Sequence, residues 1–205
     1  MINIPRHKVF ISYYHKDDQW YKDQLLALND AYNLFDDYSV HEDEIDDTGM
    51  TDEDIRQEIR DNYIKKATVL VLLCGKNTRT RKHIDWEIHA AMYHSNANPQ
   101  MGILVINVDG DNGQIACGKE EEDVISPYIH WTPLQKDIAS LKERYPDLPD
   151  RIIENIARDE VSITVANWNN IANDVEKIKY LIDRAYERRY SNKYDHSTPL
   201  RRRNS

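Results

Sequence analysis

The chain has 205 residues, of which 40% are hydrophobic and 31% charged, with 6 glycines, 7 prolines and a formal net charge of −9. This is the composition of a packed globular protein of one domain, and it excludes a disordered chain. The negative balance disfavours a nucleic acid partner, because a phosphate backbone is bound by cations.

The first ten residues, MINIPRHKVF, lack the apolar core of a signal peptide. The longest apolar run, Val69–Cys74, is far too short to span a bilayer. Cys74 and Cys117 stand apart with no CxxC pair. The expectation is a cytoplasmic protein with no membrane partner, no structural metal and no disulfide.

Val9-Phe10-Ile11 reads as a buried strand that ends in a loop at Ser12–His15. Asp17 or Asp18 then caps a helix whose apolar stripe is Tyr21, Leu25, Leu28 and Tyr32. Leu34-Phe35 and Tyr38-Ser39-Val40 suggest a short strand, and His41–Gly49 an acidic loop. Thr51 and Asp54 have capping-box spacing, and Ile55, Ile59 and Tyr63 continue as a helical stripe.

Ala67–Cys74 is continuously apolar and rich in branched residues, as a central parallel strand covered on both faces requires, and Gly75 ends it. A helix is expected from about Thr80 to His94, and Met101–Val108 repeats the buried-strand pattern. Asp109–Asp123 reads as a surface loop, Gln135–Tyr145 and Asp150–Arg158 as helices, and Val161–Val165 as a strand. Asn169–Arg189 reads as one amphipathic helix with Ile171, Val175, Ile178 and Ile182 on its apolar face. After Ser191 apolar content falls, so residues 191–205, with Arg201-Arg202-Arg203, are expected to form a disordered basic tail. Strands alternating with helices predict an α/β fold with a mostly parallel sheet and helices on both faces.

Three patterns suggest chemistry and are set aside. Gly113–Glu120 approaches the phosphate-binding GxxxxGK[ST] loop, but Glu120 stands where the magnesium-binding hydroxyl belongs, and further acids follow. His83 and Glu87, like Asp85 and His89, have the i, i+4 spacing of a metal pair, yet neither forms HExxH, and surface pairing accounts for them. Twelve acids lie between Asp36 and Asp61 without the spacing of a calcium loop, which leaves a solvated face or a docking surface for a basic partner.

Two segments stand together, VFISYYHKD at Val9–Asp17 and RKHIDWEI at Arg81–Ile88. In a parallel doubly wound sheet both belong to the edge where ligands bind, outside the strand C-termini. Glu87 lies roughly 60° to the side of the row Ile84, Ile88, Ala91 and Ser95, so it is expected as a boundary carboxylate. By this reading alone it is either a helix-surface glutamate or a base facing a crevice.

These segments resemble TIR domains. VFISYYHKDD resembles their opening motif, TRKHIDWEI resembles the helix with their catalytic glutamate, and Asp46-Asp47-Thr48-Gly49 falls where their BB loop lies. The resemblance spans roughly Lys8–Val108 and is closest to the TIR-like group that includes the TIR subunit of Thoeris anti-phage systems. It implies a flavodoxin-like three-layer fold, with residues 1–190 as a single domain composed of a motif-bearing core, 8–108, and a family-specific part, 109–190.

It also implies cleavage of the nicotinamide–ribose bond of NAD, a substrate and not a cofactor, to give ADP-ribose or a cyclic isomer. Glu87 matches the catalytic glutamate, and Phe10, Ser12, Tyr13, His15, Asp17, Asp46, His83 and Trp86 are the expected substrate-binding residues. Phe10 serves equally well as core packing. The chain departs from many TIR enzymes by having His83, not tryptophan, four residues before the glutamate. Expected partners are a second copy, through the BB-like loop, and a separate effector that reads the nucleotide product. A non-catalytic TIR-like interaction module and a nucleoside deoxyribosyltransferase-like enzyme are the alternatives.

Overall fold

Five strands form one sheet in a computed structural model that describes residues 6–39, 48–64, 66–95, 99–109, 113–125 and 136–204. They are β1 (Lys8–Ser12), β2 (Asp36–Asp37), β3 (Val69–Cys74), β4 (Gly102–Asn107) and β5 (Thr164–Asn167). All neighbours are parallel and the order is β2-β1-β3-β4-β5. The order reverses between β1 and β3, and in open parallel sheets such a switch point, at the C-terminal ends of the strands, is where ligands bind.

The centre is set by composition. Every residue of β3, VLVLLC, and of β4, GILVIN, is buried, as strands covered on both faces must be. Each large apolar side chain taken fully from water contributes about 1.5–3 kcal/mol, against about 0–1 kcal/mol for a surface ion pair, so these strands fix the register.

Helices flank both faces. On one, Val9, Ile11, Val71 and Leu104 pack with Leu25 of α1 (His15–Tyr32) and Ile178 and Ile182 of α8 (Val175–Arg188). On the other, Phe10, Leu70 and Leu72 meet Ile55 of α2 (Asp52–Glu58), Ile84 and Ile88 of α3 (Lys82–Met92) and Ile152 of α6 (Asp150–Ile156). A Cβ on Gly102 would stand 1.9 Å from the Ala185 carbonyl oxygen, so glycine lets α8 lie directly on β4. This is the flavodoxin-like three-layer arrangement.

The predicted capping box forms at Thr51 and Asp54, and a single π-turn, Ile59–Tyr63, follows α2. Other expectations are corrected. The N-cap of α1 is Tyr14, not Asp17 or Asp18, and its buried face is Asp18, Lys22, Leu25 and Asn29, while Tyr32 is exposed. Hydrogen bonds permit that polar face: Lys22 reaches the Tyr13 hydroxyl at 3.4 Å, and Asn29 Oδ1 accepts the Phe35 N–H at 2.8 Å.

The expected loop Asp109–Asp123 contains the start of α4 (Lys119–Ile125), and Ile115 pairs antiparallel with Val165. The expected single helix from Asn169 is two, α7 (Trp168–Ile171) and α8, because Asp174 accepts the Glu176 N–H and begins a new helix. The helix expected at Gln135–Tyr145 is present as α5 (Ile138–Arg144), just before α6. The disordered tail expected after Ser191 is instead packed: Tyr194 and Leu200 are buried in the core cluster on the α3 face of the sheet, and the Tyr194 hydroxyl donates to the Met101 carbonyl at 3.2 Å. Among the described residues no helix is long and apolar enough to cross a membrane.

Candidate active site at the strand ends

Phe10 and Ser12 alternate onto one face of β1. Phe10 packs in the cluster that holds Ile84, Trp86 and Ile88 of α3. Ser12, the last residue of β1, is wholly buried, and among the described residues its hydroxyl makes no hydrogen bond. Glu87 lies in the middle of α3 and is only 2% exposed. The expected boundary position is therefore corrected: the sheet covers one side of α3, and α2 and the π-turn cover another. Charge that develops near such a carboxylate is weakly screened, because little water lies between.

The loops after β1 and β3 are stitched together above this point. Asn77 Nδ2 donates to Asp17 at 2.6 Å, and the Thr78 hydroxyl donates to buried Asp18 at 3.3 Å. Thr78 also accepts the Gly75 N–H at 2.9 Å, and Asp109 accepts the Lys76 N–H at 3.0 Å. Burial, and next the nearby Asp109, push the Asp18 carboxyl up to about 6. Tyr14 packs on the α3 side, where the Arg81 guanidinium covers its ring at 3.9 Å. Gly75 leaves room for the Asp18 carboxylate, because a Cβ there would stand 2.4 Å from Asp18 Oδ1 and displace that buried side chain.

The remaining predicted residues are not all gathered here. Tyr13 points to the opposite face of the sheet, donates to Gln19 at 2.8 Å and lies under the Lys22 ammonium. His15 is exposed, with its ring tilted against that of Tyr13 at 4.9 Å. Asp17 is exposed and serves the loop stitch. His83 is half-buried with its ring edge-on to Trp86 at 4.9 Å. Trp86 is fully buried, and its indole N–H donates to the Arg201 carbonyl at 2.8 Å, so in this state it is packing and not a stacking surface. Asp46 lies outside the described residues.

The patterns set aside earlier are used structurally. Asp85 is held by Arg151 rather than paired with His89. Glu121 accepts the Cys117 N–H at 2.8 Å and the Thr164 hydroxyl at 2.7 Å and pairs with Arg188, so a carboxylate fills the place a phosphate would need at the start of α4. Sequence reading took Asp18 only as a candidate helix cap and missed Arg151 and the segment from Thr198 to Asn204. For that segment the only signal was a run of three arginines in an acidic chain.

The family model described as Thoeris protein ThsB, TIR-like domain, matches residues 10–113, from Phe10 through β4 and including Glu87. No curated protein matches the chain.

Proposed function

From the premise that this chain belongs to the TIR-like domain family of the Thoeris protein ThsB, we propose that it consumes NAD by cleaving the nicotinamide–ribose bond, with Glu87 as the catalytic residue. The observation that carries this reading is a glutamate 2% exposed in the helix after the central strand, on the sheet face that also holds Phe10 and Ser12. In this reaction the C–N bond pair leaves with nicotinamide, and the ribose becomes oxocarbenium-like. Glu87 stabilises that cation at low dielectric, Ser12 offers a buried hydroxyl, and Phe10 supplies an apolar wall. Water as acceptor gives ADP-ribose, whereas an adenine nitrogen or ribose hydroxyl of the same molecule gives a cyclic isomer.

The same proposal includes self-association through the acidic segment before α2 and a separate effector that reads the nucleotide, as part of antiviral defence. Complete burial of Trp86, an expected substrate-binding residue, favours a second reading, a non-catalytic interaction module. Fold alone does not separate the two. The test is to incubate the purified chain, free and with a crowding agent, with NAD and to separate the products by chromatography. Nicotinamide with ADP-ribose or a cyclic isomer is expected. NAD that persists under every condition overturns the enzymatic reading in favour of the module.

A further inference from the structure

The segment Thr198–Asn204 begins against α6, passes α3 and the start of α2, and ends on the first residue of α3. At its beginning Arg151 donates to the carbonyls of Thr198 at 3.1 Å and Pro199 at 3.3 Å. Leu200 is buried in the same core cluster as Trp86. Arg201 then binds α3 through its backbone on both sides: its N–H donates to Asp85 at 2.9 Å, and its carbonyl accepts the Trp86 indole N–H at 2.8 Å. Leu200 and Arg202 make three contacts with the start of α2. The Leu200 N–H donates to Asp52 at 3.0 Å, and the Arg202 guanidinium pairs with Asp52 and donates to the Met50 carbonyl at 3.1 Å.

The start of α3 needs this segment. Its N-cap, Arg81, makes no side-chain capping bond, and Arg81 and Lys82 place two cations at the positive end of the helix dipole. Asn204 Oδ1 accepts the Lys82 N–H at 2.8 Å and supplies the missing cap from 122 positions away.

We propose that Thr198–Asn204 is a strap that couples the start of α2 to α3, the helix of Glu87, and that Arg202 is its positioning residue. The catalytic half of this statement rests on the NAD reading above. Leu200 and Trp86 belong to the core, so their removal would disturb the fold. Arg202 is different: its side chain and that of Asp52 are each 41% exposed, so cutting their link leaves the core intact. The link spans the two elements that border the site, and it acts on how the substrate is received more than on the bond-breaking step.

The test uses the full chain with Arg202→Ala and Arg202→Lys. Backbone hydrogen exchange is expected to speed up in Arg202→Ala at Thr51–Ile55 and at Lys82–Trp86, with an unchanged melting temperature. The KM for NAD is expected to rise about twofold to fivefold, the size of an exposed ion pair, with kcat unchanged. Arg202→Lys should restore both. Unchanged exchange at α2 and α3 overturns the strap, and faster exchange with an unchanged KM overturns the positioning role. If neither wild type nor variant consumes NAD, the catalytic reading fails separately, and exchange alone decides whether α2 and α3 are coupled.

Discussion

The guanidinium of Arg151 grips the carboxylate of Asp85 through two hydrogen bonds, Nε at 2.9 Å and Nη2 at 3.2 Å, with the arginine side chain only 1% exposed. The same group binds the carbonyls of Thr198 and Pro199, so one buried cation joins α6, α3 and the strap.

Arg151→Ala leaves the Asp85 carboxylate without its cation and is expected to cost about 3–5 kcal/mol in chemical denaturation. The double change Arg151→Met with Asp85→Leu replaces both charges with apolar volume and should recover part of that loss. A single-variant loss below about 1 kcal/mol would mean that the pair does not hold these elements together.

Gly102→Ala tests the contact between α8 and β4. The added Cβ would lie 1.9 Å from the Ala185 carbonyl oxygen and 3.0 Å from the Tyr186 nitrogen, both backbone atoms that cannot rotate aside. Pushing α8 off the sheet should lower stability by about 1–3 kcal/mol, read as a fall in melting temperature. An unchanged melting temperature would contradict the close approach.

Asp18 predicts a pH dependence. Burial raises its carboxyl from the ordinary 3.8 to about 6, so the folded state holds the proton more tightly than the unfolded state. Stability from this group is present below the unfolded value and is lost as pH rises through the folded one. Asp18→Asn keeps an acceptor for Thr78 and removes the charge. It should stabilise the chain by on the order of 1–3 kcal/mol near pH 7.5 and by almost nothing near pH 4. An equal effect at both values would contradict the assignment.

What could be read in the sequence follows from how each feature is encoded. β3 and β4 were legible because a continuous apolar run admits few alternatives, and the capping box at Thr51 and Asp54 is a local signal of four residues. The buried face of α1 was not legible, because Asp18, Lys22 and Asn29 look like surface residues until Thr78, Tyr13 and Phe35 supply their partners. The strap was missed for the same reason: its contacts with Lys82, Asp85 and Trp86 join positions more than a hundred residues apart, mostly through backbone groups that leave no compositional mark. At the site, the order of the motifs indicated Phe10, Ser12 and Glu87. Alternation along β1 then sends Tyr13 to the other face, which a motif read as a string does not resolve.

Glu87 is the centre of the functional account, and one comparison tests it most directly: nicotinamide release from NAD by wild type and by Glu87→Gln, with the two proteins matched by thermal melt. The exchange removes the charge and nearly preserves shape. The account predicts that the variant keeps its fold and loses turnover by on the order of a hundredfold or more. Equal rates from the two folded proteins would contradict it.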